Sequence, residues 1–209
     1  MTAAPRWGLF GGSFDPVHTG HLHAARAARA ALGLERVLFV PARQSPHKLD
    51  RRLAPGPRRV ELLELALAGE PDFVVDAREL ERAGPSYTLD TVRELTAERP
   101  GAPPAMIIGS DNLRGLPRWR GVHELLDLVV PVVVHRSEHP EELLVGLEGQ
   151  LEPRELDALR AGFLRLPPVD CSSSEVRGRL ARGEALDDAL PPGVEARIRE
   201  LDLYREVDR

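Results

Sequence analysis

An α/β fold, a Rossmann-like doubly wound parallel sheet with a small C-terminal helical cap, is expected from three features of this 209-residue chain. Short apolar runs alternate with helical patterns along its length, which places helices on both faces of a parallel sheet. Two of those runs, "PAMIIG" and "DLVVPVVVH", are apolar enough for strands buried on both faces. No Asn-Gly hairpin signal separates them. The expected organisation is one domain over residues 1–209, with 172–209 as a helical segment packed on it.

Each element follows from its local pattern. "RWGLF" (Arg6–Phe10) is the first strand, and the alanine-rich run that starts near Thr19 is a helix ending near Gly33. "RVLFVPA" (Arg36–Ala42) is the second strand, stopped by Pro41, and a polar, Pro-rich loop follows from Arg43 to Pro57. "RRVELLELALAG" is an amphipathic helix with Val60, Leu63, Ala66 and Leu67 on one face. "DFVVDA" is a strand and "TLDTVRELTAER" a helix, before the two apolar strands already named. A polar helical region covers roughly 139–161, "GFLRLP" is a short strand, and two or three short helices finish the chain.

Composition narrows the function. Apolar residues make up 42% and charged residues 29%, which is the balance of a folded domain. A net charge of −5 disfavours a general nucleic-acid binder, so any phosphate recognition must be local. Lys48 is the only lysine among 28 basic side chains, which singles out the loop that carries it. Cys171 is the only cysteine, so no intrachain disulfide can form, in keeping with a reducing cytoplasm. No leader-like segment and no membrane-spanning run is visible, so a cytoplasmic chain with no membrane partner is expected.

In open α/β sheets ligands bind beyond the carboxyl ends of the strands, where strand order reverses. The loop after the first strand carries Gly11 and Gly12, closes with Asp15-Pro16, and leads into "HTGH" at the helix start. A helix N-terminus after a glycine loop suits a phosphate. The loop is neither a Walker P-loop nor G-x-G-x-x-G, and the second strand ends in Pro41 where a ribose-binding acid would stand. His18 and His21, three residues apart, can point the same way and donate to phosphate oxygens, with Gly20 leaving room between them. A metal site would need a third ligand, and no H-E-x-x-H spacing is present. Near the other end, Ser172, Ser173 and Ser174 precede "EVRGRLARG". Serines at a helix start either cap its free N–H groups or hold an anion there, and Arg177 one turn in can reach the same anion.

"GGSFDPVHTGH" and "CSSSEVR", about 150 residues apart, together resemble the two signature elements of the nucleotidylyltransferase superfamily. "SPHK", "GPSYTLDTV" and "IIGSDNLRGLPRW" extend the likeness to the bacterial nicotinate-nucleotide adenylyltransferase family over nearly the whole chain. The resemblance implies that both signature elements face one ATP. Gly11, Gly12, Ser13, Phe14, His18, His21, Gly109, Asp111, Arg136, Ser172, Ser173, Ser174 and Arg177 are then the ATP-binding candidates, and His18, His21 and Arg177 the catalytic ones.

For the second substrate, nicotinate mononucleotide, the resemblance implies His47, Lys48, Tyr87, Thr88, Asp111 and Trp119. His47 and Lys48 would bind the attacking phosphate, Trp119 would stack on the pyridine ring, and amides near Tyr87, Thr88 and Trp119 would take its carboxylate. Against this stand plain structural roles: Trp119 in the core, Thr88 as a helix N-cap, Asp111 as the N-cap of a short turn. The chain departs from the family at Arg120, where a second aromatic is usual, at Cys171, where isoleucine is usual, and at "HRSEH". The implied reaction is in-line transfer of the adenylyl group of ATP, with Mg2+ carried by ATP and no protein-held metal. An adenylyltransferase for nicotinamide mononucleotide or phosphopantetheine, and a non-catalytic adenine-nucleotide sensor, are the alternatives. A homo-oligomer is left open.

Overall fold

The computed structural model describes residues 4–46, 52–101, 103–135, 139–167 and 171–205. From the amino end the elements are β1 (Trp7–Gly12), α1 (Thr19–Leu32), β2 (Arg36–Pro41), α2 (Gly56–Leu67) and β3 (Phe73–Val75). A single turn, α3 (Arg78–Glu81), and the helix α4 (Thr88–Glu98) precede β4 (Ala105–Gly109). A 3-10 stretch, Ser110–Arg118, leads into α5 (Val122–Leu128) and β5 (Val130–His135). The short α6 (Glu142–Val145), α7 (Pro153–Ala161), β6 (Phe163–Arg165), α8 (Ser173–Ala181), a 3-10 turn Asp187–Ala189 and α9 (Val194–Glu200) complete the described chain.

The strands form one six-stranded parallel sheet in the order β3-β2-β1-β4-β5-β6. Strand order reverses between β1 and β4, whose parallel register pairs Gly8 with Ala105. Register continues from Ala105↔Val130 to Gly109↔Val134 and from Val133↔Phe163 to His135↔Arg165. The doubly wound α/β architecture expected from the alternating pattern is the one observed.

By contacts the chain divides into two compact units. The first comprises residues 1–11, 24–38 and 87–168. Its core holds Leu9, Ala25, Ala28, Val37, Met106, Ile107, Leu116, Leu125, Val133 and Leu159. Ala25 and Ala28 are fully buried, so the alanine spacing of α1 marks the stripe of the helix that packs inward. Gly162 allows α7 to turn into β6: a Cβ there would overlap the Pro131 carbonyl oxygen.

The second unit comprises residues 12–23, 39–86 and 169–209. Phe14, Phe39 and Phe73 form a chain of tilted rings with centroids 5.6 and 5.5 Å apart. Leu62, Leu63, Val176, Val194 and Ile198 complete its interior. Arg197 on α9 bonds Glu61 on α2 at 2.5 Å.

Several elements differ from the sequence reading. Gly11 and Gly12 belong to the end of β1. On α2 the residues turned inward include Arg59 and Leu62, while Val60 is only half-buried. The run "DLVVPVVVH" is divided between the end of α5 and β5. The polar region 139–161 resolves into α6 and α7.

Candidate active site

From Gly12 onward the residues of the first motif lie in the second unit and are fixed by its core. Phe14, with φ of 47° and 1% exposure, is pinned in the left-handed region between Phe39 and His21, whose ring meets it edge-on at 5.0 Å. His18 and His21 stack with ring centroids 3.7 Å apart. The His18 backbone N–H donates to His21 Nδ1 at 3.2 Å. Neutral His21 therefore carries its proton on Nε2, which makes that nitrogen a donor for an anion. Burial, and then the neighbouring His18, hold the His21 pKa well below the usual imidazole value. A Cβ on Gly20 would stand 3.0 Å from the His18 ring, so glycine lets the ring sit close to the helix start without displacement.

The second motif stands beside the first in the same unit. Ser172 caps α8, its hydroxyl accepting the Glu175 N–H at 3.1 Å. The Ser173 hydroxyl donates to the Pro16 carbonyl at 3.0 Å. Arg177 donates from one terminal nitrogen to the Asp15 carbonyl at 2.7 Å and from the other to Ser174 Oγ at 3.2 Å. Thr19 Oγ1 and Cys171 Sγ both donate to the Ala189 carbonyl, at 3.2 and 3.4 Å. Segments separated by more than 150 residues thus share hydrogen bonds. The structure gives Ser172 the role of a cap, while Ser173 and Ser174 bond the first motif and Arg177.

Three residues that the sequence did not single out organise this region. Asp15, 1% exposed, accepts Tyr204 Oη–H at 2.7 Å and the Ala54 N–H at 3.1 Å on the same carboxylate oxygen. Arg59, also 1% exposed, donates to the Ser13 carbonyl at 2.7 Å and the Ala54 carbonyl at 3.0 Å. Asp15 was legible only as part of a turn dipeptide, and Arg59 as one more charge on an amphipathic helix.

The remaining described candidates belong to the first unit. Tyr87 is the N-cap residue of α4 and Thr88 its first helical residue, so Thr88 is not the cap. Gly109 precedes the 3-10 stretch as its cap residue, and Asp111 lies exposed in its first turn, so Asp111 caps nothing either. Trp119 is half-buried and not a core residue. Its amide donates to the Leu116 carbonyl at 2.9 Å, which removes it from the set expected to take a carboxylate. Arg120 places its guanidinium carbon 4.7 Å from the centre of the Tyr87 ring and bonds Asp90 at 3.2 Å. His47, Lys48 and Arg136 lie outside the described residues.

At the start of α7, His123, Glu152 and Glu155 bring ligand atoms within 4.8 Å of one another. The two glutamates form a reciprocal capping box, and His123 Nδ1 lies 2.8 Å from Glu155 Oε1. Helix capping and the clasp of α5 to α7 account for this group. No helix among the described residues is long and apolar enough to cross a membrane.

A model of the cytidylyltransferase-like family matches residues 9–179. A protein of Aeromonas hydrophila named "probable nicotinate-nucleotide adenylyltransferase" is 40% identical, covering 96% of this chain and 98% of that protein. One of the same name from Dehalococcoides mccartyi is 37% identical over 94% of this chain and 96% of its own length. In fold, the chain is similar to the nicotinic acid mononucleotide adenylyltransferase of Plasmodium falciparum solved with NaAD, with a TM-score of 0.71 at 17% identity. That likeness covers 96% of this chain and 98% of the other.

Proposed function

Because the chain belongs to the nicotinate-nucleotide adenylyltransferase family, within the cytidylyltransferase-like group, we propose that it joins ATP and nicotinate mononucleotide into nicotinate adenine dinucleotide, releasing pyrophosphate. The observation that carries this reading is the meeting of the two motifs, through Ser173 to Pro16 and Arg177 to Asp15.

The mononucleotide phosphate attacks the α-phosphorus of ATP in line, and the bond to the bridging oxygen of pyrophosphate breaks. The nucleophile is already an anion at neutral pH, so no side chain has to remove a proton. The barrier lies in bringing two anions together and in charge that grows on the leaving group. Alignment of two bound reactants supplies about 7–11 kcal/mol. A well-placed donor to developing charge adds about 3–4 kcal/mol.

His21, neutral with its proton on Nε2, donates to the phosphate chain together with His18, close to the α- and β-phosphates. The Ser173 and Ser174 amides at the start of α8, with Arg177, take the leaving pyrophosphate. The family likeness also assigns Gly11, Gly12, Ser13, Phe14, Gly109, Asp111 and Arg136 to ATP, with Asp111 on ribose hydroxyls. In this reading the Trp119 ring stacks on the pyridine, Tyr87 and Thr88 take its carboxylate, and His47 and Lys48 bind the attacking phosphate.

The donors gathered by the two motifs are imidazole, hydroxyl, amide and guanidinium, which suit phosphate oxygens. Asp15, the carboxylate within reach, is buried and accepts two hydrogen bonds on one oxygen. His18, His21 and Arg177 would therefore hold Mg2+ only through ATP, where it neutralises phosphate charge while keeping its waters.

The test is incubation with ATP and, separately, nicotinate mononucleotide, nicotinamide mononucleotide and phosphopantetheine, with product masses and pyrophosphate read out. Nicotinate mononucleotide is expected to give the dinucleotide with much the highest kcat/KM. Equal use of the nicotinamide form would overturn the assignment of the carboxylate site, and ATP binding without any product would make the chain a sensor.

A further inference from the structure

The C-terminal turn takes a backbone shape that L-residues adopt only under constraint. Asp202 and Tyr204 have φ of 57° and 62°. From this turn the Tyr204 hydroxyl reaches the Asp15 carboxylate, 189 residues away, at 2.7 Å. Burial, followed by the Asp15 charge, raises the tyrosine pKa far above its ordinary value, so it remains a donor at every working pH.

Asp15 faces two guanidinium groups as well as the phenol. Arg59 approaches from α2 and bonds the carbonyls of Ser13 and Ala54, on either side of the Asp15 contacts. Arg177 approaches from α8, and one of its terminal nitrogens both donates to the Asp15 carbonyl at 2.7 Å and stands at ion-pair distance, 4.0 Å, from Asp15 Oδ2. The phenol and the Ala54 amide both donate to Oδ1, while Arg177 bonds the carbonyl and faces Oδ2.

We propose that Tyr204 is a positioning residue for adenylyl transfer: by holding Asp15 Oδ1 it fixes the residue whose carbonyl aligns Arg177, and so keeps that guanidinium oriented for the phosphates. Without the phenol, Oδ1 loses a donor, and the carboxylate can turn toward the cations that face it, Arg177 among them. A carboxylate-guanidinium pair is stronger than either bond it would replace. Arg177 would then be withdrawn from the leaving pyrophosphate. The inference rests on the adenylyl-transfer reading of the same site.

The experiment is a double-mutant cycle in the full chain, with Tyr204→Phe, Arg177→Ala and the double variant assayed by pyrophosphate release at saturating ATP and nicotinate mononucleotide. Loss of one charge-assisted hydrogen bond corresponds to about tenfold in rate. Tyr204→Phe is expected to lower kcat by about tenfold, with the KM for the mononucleotide within about twofold. On the Arg177→Ala background the same change is expected to cost nothing further, because there is no guanidinium left to misplace. A role confined to packing would lower the melting temperature and cost the same on both backgrounds. Equal costs, or an unchanged kcat in the single variant, overturn the inference and leave adenylyl transfer standing. A wild-type chain without pyrophosphate release overturns the functional reading, and this inference with it.

Discussion

Gly20→Ala separates the demands of the fold from those of the chemistry at the His18–His21 pair. The added methyl group would stand 3.0 Å from both Cε1 and Nδ1 of His18, inside the 3.4 Å below which such contacts are uncommon. The ring has little room to yield, since its centroid lies 3.7 Å from that of His21, which in turn packs on Phe14 at 5.0 Å. Overpacking of this kind costs about 1–3 kcal/mol. Alanine in place of glycine within a helix returns about 0.5–1 kcal/mol. The two effects leave a net loss of stability of no more than about 2.5 kcal/mol. Catalysis has no such compensation. A donor misplaced by 1 Å costs on the order of 100-fold, so a shift of a few tenths of an ångström is expected to lower kcat by about fivefold. Urea melts give the stability, and pyrophosphate release at saturating substrates gives the turnover. Full turnover together with the expected stability loss would refute the claim that the His18 position matters to the reaction.

Two further outcomes are expected. His21 has a lowered pKa in the folded chain, so the unfolded chain binds more protons below its ordinary value of 6.5. Stability should therefore be complete above about pH 7 and decline as the pH falls through 6.5 toward the lowered folded value; urea midpoints between pH 7.5 and 5 that do not move, or move equally in His21→Asn, would contradict this. Arg59→Met removes the donors to the Ser13 and Ala54 carbonyls and one cation facing Asp15, and should cost about 3–5 kcal/mol; a thermal melt within about 2 °C of wild type would show that the buried guanidinium is dispensable.

How much of this could be read from the chain alone depended on whether the controlling contact was local. The β4 strand was legible because "AMIIG" is apolar without interruption and buried almost throughout. α5 was hidden because its sequence runs straight into the apolar residues of β5 and its N-cap is Gly121 at φ 62°, with no side-chain cap to mark a start. The Ser110–Arg118 stretch contains Pro117 and follows 3-10 geometry, which leaves no 3.6-residue period to detect. The two motifs were visible as residue types. Their mutual contact was an implication of family likeness, because no local pattern encodes a bond from Ser173 to Pro16. Arg59 was illegible for the same reason: its partner Ser13 lies 46 residues away, and nothing in the local pattern of α2 separates it from a solvent-facing arginine. Tyr204 gave no signal at all, since its partner is nearly the full chain length distant.

The Ala189 carbonyl, which accepts from both Thr19 and Cys171, has a practical corollary. A single main-chain oxygen is the common datum for the first residue of α1 and the residue just before the serine run. Changes near residues 186–190, such as a shortened tail or a fusion joined there, would displace both phosphate-handling ends by the same motion. Expression designs that alter this part of the chain should be compared with the untagged protein for turnover as well as for yield.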